Sequence, residues 1–256
     1  MRVVILAGGM GTRLSEETDV KPKPMVEIGG RPILWHIMKI YSHYGFNDFV
    51  LCVGYLGHVI KEYFQNYALK NSDIVIDESG VITFIKKPRE SWRVTIVDTG
   101  INAGTADRIR SAIPFVGDKP FCLTYGDGVA NVDIKALVDY HTSHGEQMTM
   151  TVIQPDNKLG IAHVDGNGYV SGFREKPPID GWSNGGFFVM DKRILNYIEN
   201  EKFFEGTPIL RMAQDRQIKA YRHSGYWQCV DTLREKQQLE ALWNAGTAPW
   251  KVWSDE

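Results

Sequence analysis

The chain has 256 residues, in which 29 Lys and Arg face 31 Asp and Glu, for a formal charge of −2. This balance excludes a general polyanion binder, and 43% hydrophobic with 23% charged residues exclude a disordered chain. Cys52, Cys122 and Cys229 lie far apart with no C-x-x-C pair, which fits a reducing cytoplasm.

Val3 to Ala7 is a short apolar run closed by Gly8-Gly9, the pattern of a strand buried on both faces. It is shorter than the hydrophobic region of a secretory signal, and nowhere do about 18 apolar residues run together, so no membrane span is expected. Pro32 opens a helical stretch in which Ile33, Leu34, Ile37, Ile40, Tyr41 and Tyr44 share one face, stopped by Gly45. Phe49 to Val53 is a second buried strand, and Val59, Ile60, Tyr63, Phe64 and Tyr67 mark a second helix. Residues 74–97 alternate like exposed antiparallel strands, most clearly at Val81 to Ile85 and Val94 to Val97.

A short helix is expected around Ile109 and Ile113, before a third buried strand, Phe121 to Tyr125, that runs into Gly126-Asp127-Gly128. Asp133 caps the next helix, whose end carries His141 and His144, read as surface residues. Met148 to Ile153 is another strand, and Asp165-Gly166-Asn167-Gly168 signals a hairpin between Ile161 to Val164 and Tyr169 to Phe173. Gly185 to Met190 is strand again, followed by helical patterns at about 191–199, 207–215 and 231–244. Trp243, Trp250 and Trp253 form an aromatic tail expected to pack on the body or on a neighbouring subunit, and without basic company they do not suggest nucleic acid. The expected fold is α/β: a Rossmann-like, mostly parallel sheet flanked by helices, with a small antiparallel β insertion and a C-terminal helical segment.

The chemistry concentrates in a glycine-rich turn, Leu6-Ala7-Gly8-Gly9-Met10-Gly11-Thr12-Arg13-Leu14. Its backbone amides can approach phosphate oxygens, and Arg13 adds charge-assisted donors. No Gly-Lys-Ser/Thr follows, and Leu14 stands where a dinucleotide fingerprint needs its third glycine, so neither a Walker loop nor an NAD site is expected. Lys21-Pro22-Lys23-Pro24-Met25 follows, and the prolines hold Lys23 on a stiff, extended backbone. Asp127 ends a buried strand, at the sheet edge where α/β proteins place ligands, and Asp231 precedes the last helix, whose N-cap it can form.

L-A-G-G-x-G-T-R-L followed by P-K-P-M resembles the signature of the sugar-1-phosphate nucleotidyltransferases. Tyr125-Gly126-Asp127, Phe173-Arg174-Glu175-Lys176-Pro177, Asn184-Gly185-Gly186-Phe187-Phe188 and Gly225 through Thr232 continue the resemblance in the family's order. Trp92 to Thr95, Val97 to Gly100 and the ending Gly246 to Lys251 resemble the family's cytidylyl-transferring branch. In two places the chain departs from that branch: Ala106-Asp107 replaces two glycines beside Thr105 and Arg108, and Gly206-Thr207-Pro208 stands where the branch carries Glu before Pro.

The resemblance implies CTP and a sugar 1-phosphate, glucose 1-phosphate first, as substrates, with Mg²⁺ held by Asp127 and Asp231. It implies a nucleotide site of Leu6, Ala7, Gly8, Gly9, Gly11, Thr12, Arg13, Lys23, Thr105, Arg108, Gly126 and Asp127. Glu175, Lys176, Asn184 and Gly186 would meet the acceptor, and Arg13, Lys23 and Lys176 would be catalytic. On this reading one domain covers residues 1–256, with a nucleotide half at about 1–130, an acceptor half at about 131–230, and a terminal helix and tail. A homo-oligomer is expected. A cytidylyltransferase for another phosphorylated metabolite, or a nucleotide-binding subunit without turnover, are the competing readings.

Overall fold

Apolar runs become strands and amphipathic runs become helices throughout the computed structural model, which describes residues 1–11, 14–154, 159–177 and 181–254. The chain begins with β1 (Val3–Leu6), α1 (Ser15–Thr18), β2 (Glu27–Ile28), β3 (Arg31–Pro32), α2 (Ile33–His43) and β4 (Asp48–Val53). Then come α3 (Gly57–Gln65), α4 (Tyr67–Lys70), β5 (Asp73–Ile76), β6 (Ile82–Lys86), β7 (Arg93–Asp98) and α5 (Thr105–Ala112). The middle holds β8 (Phe121–Tyr125), β9 (Gly128–Ala130), α6 (Ile134–His144), β10 (Met148–Ile153), β11 (Ile161–Val164) and β12 (Val170–Arg174). Last are β13 (Ser183–Met190), α7 (Leu195–Ile198), α8 (Thr207–Gln214), β14 (Ile218–Arg222), β15 (Trp227–Cys229) and α9 (Leu233–Asn244).

Seven strands form the central sheet in the order β14, β10, β13, β8, β1, β4, β7. They are mutually parallel except for β13, which runs against β8 and β10. Side chains alternate across β1, so that Val3 and Ile5 join one buried cluster with Phe49 and Ile37, while Val4 and Leu6 join a second with Val50 and Ile109. A strand covered on both faces has no position for a polar residue, which is why its sequence is an unbroken apolar run.

The first crossover leads from β1 to β4, and the chain later returns past β1 to β8, so the winding reverses between β1 and β8. A crevice opens outside the carboxyl ends of strands at such a reversal. Leu6 pairs with Tyr125. The glycine turn after β1 and Gly126-Asp127 after β8 therefore leave the sheet side by side. Phe187 pairs with Thr124, which brings residues 184–186 of β13 to the same edge.

Residues 94–97 depart from the expectation of an exposed antiparallel strand. β5 and β6 form the small antiparallel hairpin, whereas β7 runs parallel to β4, with Val94 opposite Phe49, as an edge strand of the central sheet. An edge strand has a neighbour on one side only, and its half-exposed residues imitate the alternation of a hairpin. The histidines at the end of α6 also differ. His141 is 3% exposed, and its Nδ1 lies 2.9 Å from Thr149 Oγ1, with His144 Nε2 2.7 Å from the same hydroxyl. They join α6 to β10 rather than face water.

Trp243, Trp250 and Trp253 pack on the body around His36 of α2. His36 Nε2 lies 2.9 Å from Ile28 O, and its Nδ1 accepts from the Trp250 indole at 3.3 Å. A neutral ring with its proton on Nε2 satisfies both contacts. Burial depresses the His36 pKa to about 4, below the unfolded value of about 6.5. The stability this gives is complete above the unfolded value and is lost as pH falls toward the folded one. Between pH 7 and 5 we expect His36 to account for a loss of about 2 kcal/mol. Denaturant midpoints of the wild type and of His36→Gln measured at both pH values check this, and equal pH dependence in the two proteins would contradict it.

Candidate active site

Lys23 to Met25 form a single 3-10 turn entered from an extended Pro22. Pro24 lies against Gly126, where a Cβ would stand 2.8 Å from Pro24 Cγ and 3.0 Å from Leu6 O. Glycine at 126 thus allows the proline-clamped segment to reach the end of β8. The result is a lysine side chain that is largely buried, with Nζ 2.6 Å from Asp127 Oδ2 and 2.6 Å from Asp231 Oδ1. Burial opposes the ammonium, yet the charges and hydrogen bonds of Asp127 and Asp231 outweigh it and raise the Lys23 pKa above the ordinary lysine value. Two carboxylates against one ammonium leave the cluster negative, so it still favours a cation.

Asp231 does not cap α9. Thr232 does, accepting from Glu235 N at 3.3 Å, while Glu235 Oε2 accepts from Asp231 N at 2.9 Å and Thr232 N at 3.0 Å. This reciprocal cap leaves the Asp231 carboxylate directed at Lys23. β15, paired with β9, carries residues 227–229 and hence Asp231 to the Asp127 side of the sheet.

Two cavities meet at this cluster. One, of about 260 Å³, is lined by Leu6, Gly8, Gly9, Gly11, Lys23 and Asp127 together with Thr105 and Tyr125. The other, of about 310 Å³, is lined by Asp127, Asp231, Asn184, Gly186, Trp227 and Tyr125 among others. Asp127 and Tyr125 belong to both. Gly9 has open space where a side chain would be, whereas a Cβ on Gly8 would strike the Arg108 guanidinium. Gly186 has φ +76°, and a Cβ there would stand 2.8 Å from the Tyr125 ring.

The structure therefore brings together Lys23, Asp127 and Asp231, with Leu6, Gly8, Gly9, Gly11 and Gly126 on the nucleotide side and Asn184 and Gly186 on the other. Ala7 is buried in the core, continuing β1 through a hydrogen bond from its N to Cys52 O at 2.9 Å. Thr12 and Arg13 lie outside the described residues.

Arg108 is placed differently from the expectation of a nucleotide ligand. It is 4% exposed and donates to Gly8 O at 2.8 Å, to Val53 O and Gly100 O at 3.2 Å each, and to the Thr99 hydroxyl. Burial lowers its pKa. It ties together the loops that leave β1, β4 and β7, and so shapes the glycine turn from behind. Ala106 is fully buried, and Asp107 accepts from Gly104 N at 2.8 Å and pairs with Arg110. The two residues that stand where glycines were expected are thus spent on the start of α5 instead of on either cavity.

Glu175 and Lys176 are exposed beyond β12, with Lys176 Nζ 3.7 Å from Glu175 Oε1. Neither is among the residues that line the two cavities. Lys176 adopts φ +43°, a left-handed conformation that is costly for a lysine.

Carboxylates are the donors a hard divalent cation takes, so Asp127 and Asp231, which both contact the Lys23 ammonium, are the residues that would hold one beside it. Cys229, Asp231 and Glu235 also place ligand atoms within 4.8 Å of one another. That trio suits such an ion less well, because burial pushes the Cys229 thiol up to about 12 and Glu235 is engaged as a cap. Sequence reasoning missed Tyr125 as a shared wall, Trp227, whose indole donates to Gly185 O at 2.7 Å, and Glu205, which accepts from the Tyr125 hydroxyl at 2.8 Å. A lone loop glutamate carries no periodic signal that could have revealed it.

The profile of the family described as Nucleotidyl transferase matches residues 2–247. The glucose-1-phosphate cytidylyltransferase of Salmonella typhi is 49% identical over 99% of this chain and 100% of its own length. A Bacillus subtilis protein assigned the same activity is 43% identical over 99% of this chain and 100% of its own. The crystal structure of a Bacillus anthracis protein, assigned as a glucose-1-phosphate thymidylyltransferase, superimposes with a TM-score of 0.69 at 22% identity, covering 100% of this chain and 98% of that one.

Proposed function

The chain belongs to the nucleotidyl transferase family, and from that premise we propose that it transfers the cytidylyl group of CTP to α-D-glucose 1-phosphate, giving CDP-glucose and pyrophosphate. The observation that carries the chemistry is the Lys23 ammonium held between Asp127 and Asp231 where two cavities meet. The choice of substrates follows the full-length relatives. An acceptor other than glucose 1-phosphate would draw its support from Ala106-Asp107, and both residues are turned to structural use.

An oxygen of the acceptor's phosphate attacks the α-phosphorus of CTP in line, and the bond from that phosphorus to the β-phosphate oxygen breaks. The nucleophile is already an anion, so no general base is required. The obstacle is repulsion between two polyanions. The open backbone at Gly9, with Gly11, Thr12 and Arg13, receives the β- and γ-phosphates, and Lys23 steadies the phosphates around the α-phosphorus. Glu175 serves the sugar hydroxyls and Lys176 the acceptor phosphate, a role in keeping with the strained backbone at Lys176. Asn184 and Gly186 shape the sugar pocket. Mg²⁺ on Asp127 and Asp231 would supply charge neutralisation at the reacting phosphates. Catalysis then consists of positioning and electrostatics.

Buried thiols at Cys52 and Cys122 suit a cytoplasmic setting, and among the described residues no helix is long and apolar enough to cross a membrane. The β5–β6 hairpin leaves Val75, Ile76, Val81 and Ile85 at least half exposed. Copies of the chain covering this surface would give the homo-oligomer. Light scattering is expected to report an oligomer that Ile76→Lys with Ile85→Lys weakens, and a monomeric wild type would contradict it. Incubation with CTP and glucose 1-phosphate, followed by mass spectrometry, is expected to show CDP-glucose and pyrophosphate in equal amounts. Absence of CDP-glucose would refute the reaction.

A further inference from the structure

Glu205 lies between α7 and α8, outside every motif, yet its carboxylate connects the two cavities. Oε1 accepts from the Tyr125 hydroxyl at 2.8 Å, and Oε2 accepts from the Thr105 hydroxyl. Thr105 Oγ1 itself accepts from Phe204 N at 2.8 Å. On the other side, the Tyr125 hydroxyl accepts from Asn184 Nδ2 at 3.2 Å, and Asn184 Oδ1 accepts from Gly186 N at 2.8 Å. The groups form one directed chain, in which every proton points toward the Glu205 carboxylate. It runs from the start of α5, on the nucleotide side, to β13, on the acceptor side.

The loop that carries Glu205 is itself held firmly. Arg110 donates to Ile198 O and, at 2.7 Å, to Glu201 O, and Ala106 N donates to Lys202 O at 3.1 Å. A Cβ on Gly104 would stand 2.0 Å from Lys202 O, so only glycine admits the loop at this distance. Asp107, which stands where a glycine was expected, orients Arg110 and accepts from Gly104 N. The departure from the family pattern thus anchors the loop that presents Glu205.

We propose that Glu205 is a positioning residue for both substrates, fixing the Tyr125 and Thr105 hydroxyls and, through Tyr125, the orientation of the Asn184 amide. The inference rests on the reaction assigned above. Tyr125 is a wall of both cavities, and without Glu205 its hydroxyl and that of Thr105 lose their shared acceptor. The ring and the amide then sample orientations that do not bind substrate, and this loss falls on substrate affinity more than on the chemical step.

Steady-state kinetics of the full chain, with melting temperatures alongside, test the inference. Glu205→Ala is expected to raise KM for CTP and for glucose 1-phosphate by about tenfold each, with a smaller fall in kcat. Glu205→Gln keeps an acceptor for Tyr125 and offers its amide to Thr105, so it should recover most of the loss. Adding Tyr125→Phe to Glu205→Ala should change KM for glucose 1-phosphate by less than about twofold further, since both act through one network. KM values for Glu205→Ala within about twofold of wild type would overturn the inference. So would a change confined to melting temperature and kcat, as a purely structural role predicts. Should the wild type fail to turn over this substrate pair, the reaction assignment falls. Calorimetric titration of CTP would then read the same weakening, and an unchanged affinity in Glu205→Ala would overturn the positioning role separately.

Discussion

Lys23→Ala is expected to lower kcat by at least ~100-fold, the loss typical when one preorganised charge at a reacting phosphate is removed. The side chain is largely buried, and its ammonium bridges carboxylates that are 104 and 208 residues away in sequence. Three features converge to place it: the prolines on either side, the 3-10 turn that Lys23 begins, and Gly126, which admits Pro24. Lys23→Arg should not restore the rate, because a planar guanidinium cannot occupy a point between two oxygens that each lie 2.6 Å from a compact ammonium. Pyrophosphate release measured on the purified variant, with circular dichroism to establish folding, checks both variants. A folded Lys23→Ala enzyme within about tenfold of wild type would remove Lys23 from the catalytic machinery.

Asp127→Asn is expected to cost at least ~100-fold in kcat, and excess chelator should reduce the wild type to background, with activity restored by Mg²⁺. Asp127 and Asp231 carry two negative charges around a single ammonium. An amide at 127 would remove one of those charges while keeping size and shape. Titration of Mn²⁺ into the folded protein provides a reading independent of turnover, and Asp127→Asn should weaken that binding by at least about tenfold. Full activity in chelator would exclude a divalent cation from the reaction.

Much of the fold was legible because the strands that carry the site are buried on both faces. Val3 to Leu6 and Phe121 to Tyr125 have no polar alternation, and a glycine follows each within two residues. The stiffness of the segment around Lys23 was legible, since proline acts on the backbone locally, but only Pro22 is extended: Lys23 opens a 3-10 turn, closed by Val26 N on Lys23 O at 3.0 Å, where an extended backbone was expected. What escaped was decided at long range. Residues 94–97 were assigned to the wrong sheet because an edge strand and an exposed hairpin present the same half-buried alternation. Arg108 matched a ligand pattern, yet its guanidinium serves four acceptors in the loops around the glycine turn. Asp107 looked like a change in the pocket, whereas its carboxylate holds Gly104 N and Arg110. In each case residue type was informative and direction was not, because direction depends on a neighbour contributed by another part of the chain.

This active site joins CTP to glucose 1-phosphate, and the base is the feature that sets CTP apart from its competitors. Cytosine presents an amino donor where uracil and thymine present a carbonyl, so a pocket that accepts from that amine leaves a polar group unpaired with the wrong base. Such a mismatch costs several kcal/mol in a desolvated site, enough for roughly 100-fold discrimination or more. The most direct measurement compares kcat/KM for CTP, UTP, dTTP and ATP with glucose 1-phosphate in one assay. CTP is expected ahead of each of the others by at least about 100-fold; a preference for any other nucleotide, or CTP turnover only with a different phosphorylated acceptor, would contradict that pairing.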